Sequence, residues 1–510
     1  ELAMVRRHPD FRLWLTCEAD DRFPAILLQE SLKVTFEAPP GIRNNLIRSY
    51  AQFDKAGQRS TITAQAVFVA AWLHALLQER RTYIPQAWTK FYEFSAADIR
   101  MAKAVVEELT QGSAPDWAFI RGLFEFTIYG GRIENVFDLA VLKCYLRRFF
   151  NSTRITGSTG SHVAQGVDII ASARLEDYMA HVEKVVPAGE DATALFGLPD
   201  NVRFAWQLSE AENTIALLRM AGAASSSTAD SRREQWTNAG NALLAHWKRL
   251  LSGTDLHTRG RDVTTKSPSD PMAQLMTLEF TYAIGIVQEI HASLTLLNRV
   301  IKGVVSPDNK MEALLESLIL QQTPEQWQTL WYGPRDPIEY LSGVAYRAKC
   351  TQDMWRAAES NEFFVKPTNL GKLFRPATVL TALRQMTSRK QKVEMDTLVL
   401  RSSWEAAKTT EAVTITITGL LLQGALFEGS HGAVLRPASA SSPPTAPAPP
   451  LVLAWTKQED ASAKPADDSS LSVPIYTNAE RIELVATVTM PCPSGEADRF
   501  GIAAVALFLK

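Results

Sequence analysis

One stretch limits the possible folds of this chain more than any other: between residues 373 and 428 the hydrophobic period changes from that of a helix to that of a strand. Pro376 stands where a first helical residue would, its missing N–H costing nothing there. Val379, Leu380, Leu383 and Met386 follow at spacings that make one apolar stripe, which predicts a helix of about four turns. From Val413 β-branched residues alternate with threonine, and Gly419, Gly424 and Gly429 punctuate the run as turns or bulges do. A helix hands over to a sheet here. Ahead of this point the sequence reads almost wholly as helix, and behind it almost wholly as strand.

Residues 11–16 and 31–36 are the exception ahead of it. They are short, apolar and β-rich, which predicts two neighbouring buried strands of a sheet whose other strands are absent, so the chain is expected to start inside a domain. Helices follow over 63–81, from Ser95 with Asp98 in capping-box spacing, after Pro115, and over 135–150, where Leu139, Leu142, Leu146 and Phe149 make a stripe. Residues 152–166 turn to Ser, Thr and Gly and read as a linker. From Ala171 to about residue 361 the helical pattern returns, broken by polar loops at 225–231 and 252–268. Its longest helix opens at Asp270-Pro271 and places Leu275, Leu278, Tyr282, Ile286, Ile290, Leu294, Leu297 and Ile301 on one face until Gly303. Thr323-Pro324 with Gln326, and Asp336-Pro337 with Glu339, repeat the same start signal. Trp236, Trp247, Trp327, Trp331 and Trp355 are the packing of this helical bundle. Beyond the 376 helix, strands are expected near 398–404, 413–418, 420–427, 451–455, 472–476, 481–490 and 502–509, a number that predicts an antiparallel barrel or sandwich. Residues 437–450, rich in Pro, Ala and Ser, make a flexible or extended excursion that cannot be a core strand.

Motifs for chemistry are missing. No GxxxxGK[ST] occurs, so the Thr156-Gly157-Ser158-Thr159-Gly160-Ser161 loop lacks the lysine and hydroxyl that hold phosphates and Mg²⁺. No HExxH, CxxC or GxSxG occurs, and the eight histidines show no ligand spacing. Ser430-His431 are adjacent in a glycine turn, not in the facing geometry a nucleophile and base require. The expected sets of catalytic, cofactor-binding and metal-binding residues are therefore empty. Cys17, Cys144, Cys350 and Cys492 are too dispersed for a zinc motif or a disulfide framework, which fits a reducing compartment. A net charge of −2 points to neither nucleic acid nor an anionic membrane as a bulk partner. Arg384, Arg389, Lys390 and Lys392 match the dipole at the end of the 376 helix. The longest apolar run, 66–77, falls short of the ~20 residues of a membrane span, no signal peptide is expected, and the sequon at Asn151 is expected to be unglycosylated.

The helix with its LxALRQxTxR core (380–389), the GLxLxG strand (419–424) and VPIYT (473–477) together resemble the C-terminal region of dynein heavy chains. FRLWLT (11–16), SLKVTFEAPPG (31–41), IYGGRIENVFDL (128–139) and GPRDPIEYL (333–341) agree in the same order, so the resemblance covers nearly the whole sequence. YIPQAWTKFYEFSAADIR (83–100), YGGRIENVFDLAVLKCYLRRFFN (129–151) and the ending AAVALFLK resemble the cytoplasmic dynein class of retrograde intraflagellar transport more than axonemal or general cytoplasmic dyneins. Gln423 departs from the acid many members carry in this strand, and either side chain suits a solvated face.

The resemblance implies an α+β, mostly helical chain. Residues 1–50 would end the large subdomain of a sixth AAA+ module, a partial α/β sheet, and 51–151 would be its helical small subdomain. A linker over 152–170, a helical domain over 171–372, and the connecting helix with its β-barrel over 373–510 would follow. Thr16 falls at the sensor position, though in a module that does not hydrolyse nucleotide it is an ordinary strand end. The function implied is a ring-bracing, regulatory segment of an ATP-driven, minus-end-directed microtubule motor for retrograde intraflagellar transport. Its partners would be the first and fifth AAA+ modules, dynein subunits, and microtubules through the parent's stalk, in cytoplasm, cytoskeleton and cilium or flagellum. ATP and Mg would be bound upstream and not by this segment, which would be no enzyme by itself. The alternative is a free-standing, non-catalytic scaffold whose β-domain grips a partner.

Overall fold

The change of period falls where the sequence places it. A computed structural model describes residues 8–17, 23–34, 39–54, 59–112, 115–158, 160–187, 193–224, 229–404, 413–428, 434–439, 441–457 and 469–510. It divides into two compact units, 1–40 and 41–510.

Among the described residues of the first unit only α1 (Ala25–Glu30) is regular, and 35–36 of the second expected strand lie outside them. Neither 11–17 nor 31–34 is a strand, and Leu13, Trp14, Leu32 and Val34 are exposed, as is Thr16. This corrects the expected pair of buried strands. A strand exists by pairing its N–H and C=O groups with a neighbour, and among the described residues these segments have none.

The second unit opens with a helical layer: α2 (Ile42–Ala51), α3 (Thr61–Glu79), α4 (Ala96–Leu109), α5 (Trp117–Leu123) with a π-turn at Phe124–Ile128, and α6 (Val136–Phe149). Ser60, Asp116 and Asn135 cap α3, α5 and α6, and Ser95 with Asp98 forms the expected capping box. Helix α3 is apolar all round and buried from Thr63 to Gln78, as a central core helix must be. With its continuation, Thr61–Tyr83, it is long and apolar enough by length and composition to cross a membrane, more so than the run 66–77 implied, yet 89% of its apolar 18-residue window is buried inside the protein.

The stretch read as a linker contains a hairpin, β1 (His162–Ala164) with β2 (Val167–Asp168), whose Val163, Ala164 and Val167 join the core of the first layer. Helices α7 (Leu175–Val185), α8 (Thr193–Phe196), α9 (Asn201–Ala224) and α10 (Ala229–Leu251) follow; α10 starts inside the segment expected to be a loop. The bundle is completed by α11 (Pro271–Ile301), α12 (Asn309–Ile319), α13 (Glu325–Gln328) and α14 (Pro337–Glu359). Asp270 and Asp336 cap α11 and α14. Thr323 does not cap α13; its hydroxyl donates to the Pro334 and Arg335 carbonyls instead. Trp247 and Trp327 are buried in the bundle core, with Trp236, Trp331 and Trp355 packed against it.

The face expected of α11 holds only in its second half. Leu278 is 63% exposed, while Met276, Phe280, Ala283 and Ile284 are buried. The first half packs on two helices at once, α14 and α15 (Ala377–Gln391), so its inward rows are not a single stripe of large residues. Glu279 sits between them, fully buried. It accepts from the Phe374 and Arg375 N–H groups at 2.8 Å each and from Arg375 Nε at 2.9 Å. A carboxylate there complements the N-terminal end of α15, where Pro376 supplies no side-chain cap. Val379, Leu380 and Leu383 are buried as the stripe requires, and α15 ends with Lys392 in the left-handed region, φ 53°.

Beyond α15 come β3 (Leu398–Ser403), β4 (Thr414–Ile417), β5 (Leu420–Gln423), β6 (Ala425–Glu428), β7 (Val434–Pro437), β8 (Thr445–Pro447), β9 (Leu451–Lys457), β10 (Ser470–Tyr476) and β11 (Leu484–Pro491). Helix α16 (Ala497–Ile502) and β12 (Ala506–Leu509) end the element order. The run expected as one strand over 420–427 is two, in different sheets, because Gly424 turns between them at φ 87°, where a Cβ would stand 2.9 Å from the Ala503 carbonyl oxygen. Gly419 likewise carries φ 75° between β4 and β5. Gly429, Ser430, His431 and Thr159 lie outside the described residues.

The sheets are mixed, not purely antiparallel. The five-stranded sheet runs β11-β10-β12-β5-β8 with β10 and β12 parallel; β3-β9-β4 and β6-β7 are antiparallel. Inward residues of both larger sheets and of α15 share one core, including Leu383, Ile415, Leu453, Val488 and Leu507. Among the described residues no barrel closes. Where β3 approaches the β11 edge, side chains take the place of the ladder: Thr489 N–H donates to Ser402 Oγ at 3.0 Å and the Trp404 indole to Thr489 O at 3.3 Å. The excursion over 437–450 supplies β8 as an edge strand, a position that tolerates Pro447.

Replacing Glu279 by Ala leaves the Phe374 and Arg375 N–H groups without their acceptor in a buried site, a loss of about 3 kcal/mol. The expected result is a lower melting temperature with faster hydrogen exchange in α15, while exchange in α3 is unchanged.

Candidate functional site

Three buried charged groups of the second unit, Arg80, Asp138 and Arg481, lie where the first helical layer meets the end of the β-domain. Arg80, directly after α3, is fully buried. Its Nη2 and Nε donate to Ala87 O at 2.6 and 3.2 Å, and its Nη1 donates to the Tyr145 hydroxyl at 2.6 Å and to Ile502 O at 3.1 Å. The guanidinium lies 5.1 Å from the Trp88 ring centroid and 5.2 Å from that of Tyr145. Tyr145 in turn donates to Phe196 O. One side chain thus ties α3, α6, α8 and the C-terminal segment together. A buried guanidinium is tolerated only when its donors are satisfied, so each acceptor has to keep its place.

Helix α16 lies against α6 around this point. Arg147 Nε donates to Asp498 Oδ1 at 3.0 Å and Oδ2 at 3.2 Å. Gly501 admits the close approach, since a Cβ there would stand 2.4 Å from Cys144 Sγ. Burial pushes the Cys144 thiol up to about 12, so it is an unreactive packing group. Phe137 meets Tyr476 edge to face at 6.3 Å.

Two further ionisable groups flank the seam. Asp138 on α6 is buried and accepts from Thr89 N–H at 3.0 Å, the Thr89 hydroxyl at 2.5 Å and the Tyr92 hydroxyl at 2.8 Å. Desolvation raises its pKa against those hydrogen bonds. Arg481, in the turn before β11 at φ 57°, is buried and donates from Nη2 to Gln423 Oε1 and Ala504 O, both at 2.8 Å. Burial lowers its pKa to about 10. Gln423 is therefore not on a solvated face, as the sequence implied, but is the buried acceptor of this arginine.

The residues singled out from sequence serve structure. Gly157 N–H donates to Gln65 Oε1 at 2.8 Å, and Gln65 Nε2 donates to Ser158 O at 2.9 Å and Ile170 O at 3.2 Å, so the glycine-rich loop is clamped onto α3. Arg384 donates to Met395 O and lies over Trp455, and Arg389 donates to Ser269 O. Asn151 uses its side chain to accept from Thr153 and Arg154 and to donate to the Arg147 and Arg148 carbonyls. All four cysteines are free. Arg80, Asp138, Arg481 and Asp498 carried no signal in the sequence: each reads like any surface charge, and only the meeting of distant segments buries or pairs them. Among the described residues no cluster of three or more His, Cys, Asp or Glu side chains stands ready to hold a metal. The arrangement can hold two domains in one orientation; it brings no nucleophile to a base.

The family model for the C-terminal domain of the dynein heavy chain matches residues 208–509, and that for the dynein heavy chain AAA lid domain matches 63–202. The protein therefore belongs to the dynein heavy chain family. It is 41% identical over its whole length to cytoplasmic dynein 2 heavy chain 1 of Caenorhabditis elegans and 37% identical to that of Homo sapiens, spanning 12% of each of those proteins. To the cytoplasmic dynein heavy chain of Dictyostelium discoideum it is 28% identical over 96% of its length, covering 11% of that protein. The seam is thus the contact between the lid and C-terminal domains.

Two results are expected here. Arg80→Lys keeps the charge but not the fork that reaches Ala87 O, Tyr145 and Ile502 O together, so it lowers the melting temperature by several degrees, whereas Arg174→Lys at an exposed ion pair does not. His74, buried against the Tyr129 hydroxyl, has its pKa lowered by desolvation from 6.5 to about 4. The unfolded state takes up that proton near 6.5 and the native state only near 4, so the unfolded state binds more protons in this window. Stability then falls by about 3 kcal/mol as pH drops from about 6.5 to about 4, and pH-dependent melting of His74→Gln is expected to lack that slope.

Proposed function

We propose that this chain is the ring-bracing and regulatory end of a microtubule motor's heavy chain, of the class that drives retrograde intraflagellar transport. In this reading residues 1–50 and 51–151 complete a sixth AAA+ module, 152–170 connect, and 171–372 with 373–510 lie across the ring between the first and fifth modules. ATP and Mg are bound and turned over elsewhere in the heavy chain, which works with dynein subunits on microtubules in the cytoplasm and cilium. This segment contributes no catalytic group.

The observation that carries the reading is the seam. Buried hydrogen bonds from Arg80 and the Arg147–Asp498 pair join lid to C-terminal domain, so a displacement of the lid is passed to the β-domain and bundle rather than lost in a loose joint. The exposed apolar residues of the first unit, Trp14 and Leu32 among them, are what a sheet supplied by the rest of the heavy chain would cover. A brace of this kind changes a motor only by binding its conformational states unequally.

Deleting 373–510 from a full heavy chain, or introducing Leu383→Asp, which buries an unpaired charge in the α15 core, is expected to leave basal ATP turnover largely intact and to alter run length, force or ciliary traffic. Loss of turnover in a protein that stays folded and soluble would place this region in the engine itself. The 510-residue chain alone is expected to show no nucleotide-dependent shift in melting temperature.

A further inference from the structure

Besides Arg80, the seam buries Asp138 on the lid side and Arg481 on the β-domain side, and neither of these two charges has an ion-pair partner at contact distance among the described residues. Asp138 is 2% exposed and surrounded by neutral donors, the Thr89 N–H and hydroxyl and the Tyr92 hydroxyl. Arg481 is 7% exposed and donates only to neutral acceptors, Gln423 and Ala504. Its Nε has no hydrogen-bond partner among the described residues. The ring of Phe137, the residue before Asp138, meets edge to face that of Tyr476, at the end of the strand that leads to Arg481, at 6.3 Å. A lone buried carboxylate and a lone buried guanidinium are each costly. Their cost falls when the two fields overlap in a region from which water is excluded, even without contact.

We propose that Asp138 and Arg481 are the two halves of a buried charge couple across the seam, which makes docking of the lid on the β-domain charge-specific without a direct ion pair. The neutral Gln423 is what leaves Arg481 free to serve Asp138, because a carboxylate at that position would neutralise the guanidinium within its own domain. The direction of the titration shifts agrees: Arg481 pulls the Asp138 pKa down against desolvation, and Asp138 pulls that of Arg481 up, with Tyr476 and Arg80 the other ionisable groups acting on Arg481. The inference concerns these 510 residues alone and stands apart from the bracing role.

The test follows the Asp138 carboxyl by NMR titration in the 510-residue protein labelled with isotopic aspartate. Its midpoint is expected to rise by about half a pH unit or more in Arg481→Gln, to stay near the wild-type value in Arg481→Lys, and to rise in Gln423→Glu, where the new carboxylate engages Arg481. In melting temperature, Asp138→Asn with Arg481→Gln is expected to lose less than the sum of the single variants. An Asp138 midpoint unmoved in both Arg481→Gln and Gln423→Glu, or strictly additive losses, overturns the couple. Should Arg481→Gln fail to fold, Gln423→Glu alone decides: a raised midpoint supports the proposal and an unchanged one overturns it.

Discussion

A guanidinium with no water around it constrains this structure more than any hydrophobic contact does. Arg80 donates to oxygens from three separate segments, Ala87, Tyr145 and Ile502, the last 422 positions away in sequence. Apolar packing is non-directional and tolerates small slips, whereas a buried donor that loses its acceptor forfeits its whole desolvation cost. The lid core and the C-terminal end are therefore held in one register. Gly501 against Cys144 and the Arg147–Asp498 pair then follow as close-fitting neighbours of that fixed point.

A second directional joint does the same work at the other side of the β-domain. Glu279 leaves the middle of α11 to take the N–H groups that precede Pro376, so the helical bundle sets where α15 begins. Helix α15 in turn lays Val379 and Leu383 into the core shared by both larger sheets, and the Trp455 indole donates to its Leu380 carbonyl. Bundle, helix and sheets thus form a series of contacts in which each interface contains a hydrogen bond that cannot slide. That is the property a transmitting element needs and a flexible tether lacks.

Much of this is legible in the sequence. The capping signals at Ser95, Asp270 and Asp336 are local, and each caps its helix where the sequence places it. The alternation of Ile415 and Ile417 with threonine places one face of β4 inward. Sequence reasoning fails where one residue answers to two neighbours. The first half of α11 faces α14 and α15 at once, so its large residues do not mark its buried rows. Gln423 looks like a surface residue until Arg481, 58 positions on, is brought against it. The barrel or sandwich expected from strand count shows no closure into a barrel among the described residues, where Ser402 and Trp404 take up the Thr489 N–H and C=O at the edge between β3 and β11.

The sequence by itself determined most helices and most strands, the point at which one gives way to the other, and the family. These rest on periodicity, caps and motifs, which are interactions among residues a few positions apart or patterns read directly in order. Only the tertiary structure decided which charges are buried and with whom. Arg80 with Ile502, Glu279 with Phe374, and Arg481 with Gln423 are pairs separated by 58 to 422 residues. A solvated charge and a buried one are the same letter in the sequence, and it is the desolvation imposed by packing that turns an ordinary arginine into the fixed point of an interface.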